Sequence, residues 1–277
     1  MKKISFLAFS IILLSCSDQL VESYKTDLIS KTGSVSLPAI LGSKIPNSEY
    51  SASEMTYVQN RFIGVGKLSE STLNIVDDIQ SISNNYWEEG YNNEIVGQFE
   101  IIIDTTQTLT IDEYDLPDNF YDNISFEDYF NGGIEKLLDQ HPLIKYNSLP
   151  VFVINTGSRK NYITVEDGQI AMIYEAKNQN GNWYPIEFKT YSWCGNSYVD
   201  YKLNPNEYAL LKVPVQSGDF KTKLRLKARL GDKIFYSNII DGTINLNQFN
   251  FESANHDFVS FHYDFDSGDT ASLFLDE

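Results

Sequence analysis

The sequence predicts a mainly β protein, with a C-terminal Ig-like antiparallel β-sandwich preceded by a small acidic α+β segment. Three observations predict it. Aromatics make up 14% of the 277 residues, with 18 Tyr and 17 Phe, and such side chains suit the half-buried, pleated surface of a sheet. From Leu149 onward about seven apolar or alternating runs follow one another within about 115 residues, the density of a sandwich. Turn clusters separate these runs. The Cys…Trp…Cys pattern of true immunoglobulin domains is absent, so the expectation concerns architecture alone.

Composition divides the chain into four segments: 1–15, a short apolar leader; 16–34, a Ser-rich tether; 35–148, the acidic α+β segment; and 149–277, the sandwich. Val35 to Ile40 is apolar enough for a first strand, and Gln98 to Leu109 reads as another. Ser125-Phe126-Glu127-Asp128 has the form of a capping box and opens a helix to about Gln140, which His141-Pro142 ends. The sandwich strands are expected at Val151–Asn155, Ile170–Lys177, Trp183–Trp193, Tyr208–Val215, Lys221–Leu230, Lys233–Ile240 and Asp257–Phe265. Asn180-Gly181, Asn204-Pro205-Asn206, Ser217-Gly218-Asp219, Gly231-Asp232 and Asp241-Gly242 supply the turns between them.

The formal charge of −17 becomes two units more negative once Lys2 and Lys3 leave with the leader. Such a balance excludes nucleic acid as a general partner and opposes binding to an anionic membrane surface. No Lys or Arg occurs between Leu68 and Glu135, where acids are dense. That stretch is either a solvated acidic face or a surface for cations such as Ca²⁺, but no D-x-[DN]-x-[DN]-G loop fixes a ligand geometry. No motif calls for a cofactor.

Against this acidity, Lys221 to Leu230 reads KTKLRLKARL. Strand alternation places Lys221, Lys223, Arg225, Lys227 and Arg229 on one face and Leu224, Leu226, Ala228 and Leu230 on the other. A hairpin turn at Gly231-Asp232 then sets Phe235 beside Ala228 and Ile239 beside Leu224, with Tyr236 and Asn238 among the cations. Like charges so close repel one another. The stripe therefore serves the acidic stretch of this chain, an anionic ligand such as a charged glycan, or solvent, where lysines deter edge-to-edge pairing. A second candidate face carries Trp183, Tyr191 and Trp193, which form either a stacking platform for sugar rings or ordinary sheet packing.

Catalytic signatures are lacking. Cys194 is the one Cys besides Cys16 and would need a base from His141, His256 or His262; its surroundings do not match the papain-type local signature, and a buried inert thiol is the ordinary alternative. His256, His262, Asp264 and Asp266 share parity on the last expected strand, a polar face without the spacing of a closed metal site. Gly64-Val65-Gly66-Lys67-Leu68 lacks the spacing and the Ser/Thr of a phosphate loop, and neither G-x-S-x-G nor H-E-x-x-H occurs.

The leader has Lys2 and Lys3, an apolar run from Ile4 to Leu14, and then Leu13-Leu14-Ser15-Cys16. The run is about half the length of a membrane span and suits a removed signal. Leu13-Leu14-Ser15-Cys16 resembles the lipobox of bacterial lipoproteins. That resemblance implies cleavage before Cys16, diacylation of its sulfur with palmitate-type chains, a lipid-bilayer anchor and a cell-envelope address. Ser17 after the Cys implies the outer membrane in a Gram-negative host. Lipidation of Cys16 would also leave Cys194 without a disulfide partner. The functional expectation is a non-enzymatic binding module for a glycan or partner protein. The alternatives are a structural or assembly subunit of an envelope complex and a hydrolase without a recognisable motif.

Overall fold

The computed structural model describes residues 35–41, 48–70, 72–74, 97–116, 133–191, 197–251 and 271–275. The chain divides into two compact units, Met1–Leu37 and Pro38–Glu277. Of the first only 35–37 are described; the strands, the helices and the core all belong to the second.

The strands are β1 (Ala39–Leu41), β2 (Thr56–Tyr57), β3 (Arg61–Lys67), β4 (Thr72–Asn74), β5 (Phe99–Ile103), β6 (Leu109–Tyr114), β7 (Leu143–Asn155) and β8 (Asn161–Glu166), followed by β9 (Met172–Lys177), β10 (Trp183–Pro185), β11 (Glu187–Phe188), β12 (Tyr198–Leu203), β13 (Glu207–Pro214), β14 (Phe220–Leu230), β15 (Lys233–Tyr236) and β16 (Ile240–Ile244). One α-helix, α1 (Gly133–Leu138), and the 3₁₀ helices Leu246–Phe249 and Ala271–Phe274 complete the described elements. The protein is mainly β, as expected, with antiparallel sheets curled into a half-barrel.

Two five-stranded sheets make the sandwich. The first runs β3-β13-β7-β5, with β6 also on β7; the second runs β10-β9-β14-β15, with β16 also on β14. Between them lies one core, to which the first sheet brings Ile101, Val151, Val153, Ala209 and Leu211 and the second Met172, Tyr174, Ala176, Leu224, Leu226 and Ala228. The β8–β12 pair adds Ile163, Val165 and Leu203. β7 crosses the boundary expected at residue 148, and β3, β5 and β6 from before it share a sheet with β7 and β13 from after it. Phe152 and Ile154, on the other face of β7, are buried as well, with Phe152 edge-on to Tyr208. This explains why residues 149–154 of β7 and 208–211 of β13 read as short unbroken apolar runs: a stretch buried on both faces has no polar alternation.

Several expected elements are redrawn. The single strand expected over Gln98–Leu109 is two strands, β5 and β6, set end to end along β7. Asp104 makes the break, its Oδ1 accepting from the Thr106 N–H at 2.8 Å and its Oδ2 from Gln107 Nε2 at 2.7 Å. Pro150, which has no N–H to give, sits on β7 at this gap, between Ser148 opposite β6 and Val151 opposite β5. The strand expected over Trp183–Trp193 ends first at Pro185, and the chain shifts at Ile186 to pair Glu187–Phe188 with β2. The first strand starts at Ala39 rather than Val35. The α-helix ends at Leu138, two residues before the expected end near Gln140, in a turn that sets the His141 N–H on the Leu138 carbonyl. Its expected start at Ser125 and the strand Asp257–Phe265 lie outside the described residues.

Side-chain amides close the sandwich at two margins. Asn60 donates through Nδ2 to the carbonyls of Ile170 and Met172, both at 2.9 Å, and accepts from the Ile170 N–H at 2.9 Å. Opposite, Asn238 accepts from the Ile103 N–H at 2.7 Å and donates to the Ile103 carbonyl at 3.1 Å. Each amide stands in for a backbone peptide in a ladder, pairing donor and acceptor with a strand, and Asn60 uses both of its N–H groups.

Candidate functional site

The β14–β15 hairpin builds the candidate site. Leu230 pairs with Lys233, leaving Gly231 and Asp232 as a two-residue loop, and Gly231 takes φ +61. Positive φ at the first loop position marks the turn whose twist matches antiparallel strands. Ala228 faces Phe235 as the alternation requires. Beyond Tyr236 the expected register fails. Ser237 Oγ accepts from the Leu226 N–H at 2.8 Å and Asn238 turns to Ile103, so Ile240, not Ile239, pairs with Leu224. Ile239 is exposed, and Asn238 belongs to the sheet margin rather than to the cations.

The five cations meet different surroundings. Lys221 is exposed. Lys223 pairs with Asp241 on β16 at 2.6 Å. Arg225 lies between two aromatic rings, its guanidinium carbon 4.3 Å from the Trp183 centroid and 3.9 Å from that of Tyr236. Its Nε donates to Glu175 Oε2 at 2.7 Å, and Nη2 stands at ion-pair distance, 2.7 Å, from the same oxygen. Lys227 is buried, with Nζ donating to the Phe274 carbonyl at 2.9 Å. Arg229 is half-buried and lines a pocket of about 370 Å³ with Glu166, Tyr191 and Tyr198. The stripe is thus one in sequence but not in surroundings. The pairing acids Glu175 and Asp241 come from neighbouring strands, whereas Asp112 and Glu113 of the Lys- and Arg-free stretch pair with Lys145 and Arg61.

The aromatic candidates also separate. Trp183 joins the Arg225 stack, and Lys177 Nζ stands 5.4 Å from its ring. Tyr191 is elsewhere, packed near Val58, Ile173 and Leu275, with Lys189 Nζ 5.4 Å from its ring. Trp193 lies outside the described residues, as do Cys16, Cys194, His256, His262, Asp264 and Asp266.

An open groove of about 1010 Å³ lies where the stripe begins. Its charged lining residues are Lys177, Lys221, Lys223 and Asp241, and Thr222, Thr243, Asn178 and Gln179 add hydroxyls and amides. Three ammonium groups against one carboxylate is the reverse of the chain's overall balance. Lys177 was the member that sequence reasoning missed. It comes from β9, and only the antiparallel β9–β14 register brings it beside the stripe. Glu175 was missed for the same reason, although its parity with Lys177 on one strand was a readable signal.

Two buried polar centres were also not foreseen. Lys189, 1% exposed, pairs with Glu166 at 2.6 Å and donates to the Thr190 carbonyl at 2.9 Å. Tyr198 donates to the other Glu166 oxygen at 3.1 Å, and burial together with that carboxylate raises the Tyr198 pKa. Glu187 is buried between β9 and β2, where it accepts from the Tyr174 N–H at 2.9 Å. Desolvation raises its pKa to about 8; the Tyr174 N–H and the Arg61 charge only partly oppose this. No group of three or more His, Cys, Asp or Glu among the described residues is placed to hold a metal ion.

Compared with known proteins, the chain matches no family, no curated protein and no solved structure.

Proposed function

We propose that the chain is a cell-envelope lipoprotein, held by acylated Cys16 in the outer membrane, whose β-sandwich is a non-enzymatic module for anionic glycans. The observation that carries this reading is the groove with Lys177, Lys221 and Lys223 against Asp241 alone. Lysines on flexible stems suit a polyanion whose carboxylates or sulfates are spaced along a chain. The hydroxyls and amides between them suit its sugar hydroxyls. Beyond the groove, the Trp183–Arg225–Tyr236 stack continues the same sheet face next to Lys177 and Lys223, with Glu175 and two rings holding the guanidinium in place.

The test uses the chain freed of residues 1–16 and a sulfated or uronic-acid polysaccharide at about 50 and about 300 mM salt, a range over which exposed charge contacts are progressively screened. Affinity should fall with salt, and Lys177→Ser/Lys221→Ser/Lys223→Ser should lower it more than about tenfold while the thermal midpoint stays put. Equal binding by the triple variant sinks the groove as the site. Incorporation of a palmitate analogue, lost in Cys16→Ala, tests the anchor.

A second reading, an assembly subunit of an envelope complex, is supported by Tyr236 and Ile239, 48% and 56% exposed beside the same sheet. It predicts salt-insensitive capture of a partner protein that Ile239→Asp abolishes.

A further inference from the structure

On β10, alternation sends Tyr184 to the face opposite Trp183, and Tyr184 pairs with Ala176, whose side chain is in the core. At this edge the core runs out, and the 3₁₀ helix Leu246–Phe249 flanks the opening. Phe249 is edge-on to Tyr184 at 6.4 Å and to Phe220 at 6.3 Å. Tyr184 and Leu246 are each 47% exposed. The β9–β10 loop forms the rim and is held firmly in shape: Asn178 Oδ1 accepts from the N–H groups of Asn180 and Asn182, both at 3.0 Å, and Gly181 takes φ +81. This holds Gln179 and Asn180 at the edge of a pocket of about 340 Å³ lined by Asn178, Gln179, Asn180, Tyr184, Leu246 and Phe249. The side-chain amides of Gln179 and Asn180 make no hydrogen bond among the described residues.

No Lys, Arg, Asp or Glu lines this pocket, although the chain carries 59 such residues. A charged ligand therefore finds no counter-charge here. An apolar peptide or lipid would cover the Gln179 and Asn180 amides and leave them unpaired, which is costly. A pyranose ring meets both requirements: its C–H face lies on Tyr184 and Leu246, while its hydroxyls give and take hydrogen bonds from the amides. The volume falls at the lower end of the range of small-ligand pockets, about 300–1,000 Å³.

We infer that this pocket is a subsite for one uncharged sugar ring, separate in chemistry from the lysine groove with which it shares Asn178 and Gln179. The inference does not rest on the groove, since a neutral sugar in high salt gains nothing from the lysines.

The experiment takes the full chain in a sugar-free detergent at about 0.5 M salt, where exposed charge contacts are screened. Cellotetraose, maltotetraose and xylotetraose are the probes, followed by saturation-transfer NMR and calorimetric titration. At least one probe should receive saturation on its ring C–H protons. Tyr184→Ala should weaken it about tenfold, the loss of one aromatic contact, while Tyr184→Phe, which keeps the ring, stays within about threefold. Lys221→Ser/Lys223→Ser should leave the affinity unchanged. No saturation for any probe at about 10 mM, equal affinity in Tyr184→Ala, or loss in the lysine variant would each overturn the subsite. So would a self-association of the chain that buries Tyr184. Failure of the lysine groove leaves these readouts untouched, and the reverse holds too.

Discussion

Glu187 is a carboxyl in a place where charge is expensive. Burial lifts its pKa from the usual 4.5 to about 8, so the folded chain holds a proton there that the unfolded chain has lost. The groups facing it are Arg61, Tyr50 and the Tyr174 N–H, and Gln216 Nε2 stands 3.5 Å from its second oxygen. Where the folded state binds the extra proton, stability falls as pH rises. The contribution of Glu187 is complete below pH 4.5 and declines through about pH 8, at roughly 1.4 kcal/mol per pH unit. Denaturant midpoints at about pH 5 and about pH 8 should therefore differ in the unaltered chain and converge in Glu187→Gln, which cannot ionise. Identical midpoints in the unaltered chain, or an equal drop in Glu187→Gln, would show that Glu187 is not held neutral.

The elements show where sequence pattern suffices and where it stops. The β14–β15 hairpin was legible because both of its determinants are local: period-two alternation and a glycine where φ must be positive. Its continuation was not legible, because Ser237 and Asn238 use their side chains to bond Leu226 and Ile103. Nothing in a strand pattern signals a hydroxyl standing in for a carbonyl. The Asp104 turn hid for a similar reason, since its bonds run from a side chain to the residues just after it. β3 escaped because RFIGVGK is a poor strand by composition. The structure explains one of its glycines: a Cβ at Gly66 would overlap the Tyr208 phenol on the paired strand. Gly66→Ala should cost about 1–3 kcal/mol through overpacking, and Tyr208→Leu in the same chain should recover part of it. A thermal melt unchanged by Gly66→Ala would refute the close approach. In the candidate site, Lys221 and Lys223 were legible from alternation, but Lys177 and Glu175 needed the β9–β14 register, a pairing between distant parts of the chain.

At the scale of the whole molecule, two sheets share one core and are fastened at their margins by Asn60 and Asn238. Asn60 makes three bonds to β9 and the residues just before it. Removing them by Asn60→Ala should cost about 3 kcal/mol, at about 1 kcal/mol for each bond plus exposed partners, and equilibrium unfolding measures it directly. A loss under about 1 kcal/mol would mean that the packed core alone holds this margin.

The same two amides expose the protein to chemical ageing. Hydrolysis of the Asn60 amide to a carboxylate would turn its Nδ2, which now donates to two carbonyls, into an oxygen that repels them. At Asn238 the bond donated to Ile103 would be lost in the same way. A change of one mass unit, invisible to size or composition, would then loosen the fold from its margins inward. Tightly bonded amides are also held away from the geometry that hydrolysis requires. Partial unfolding and deamidation should therefore advance together in stored protein, each making the other faster.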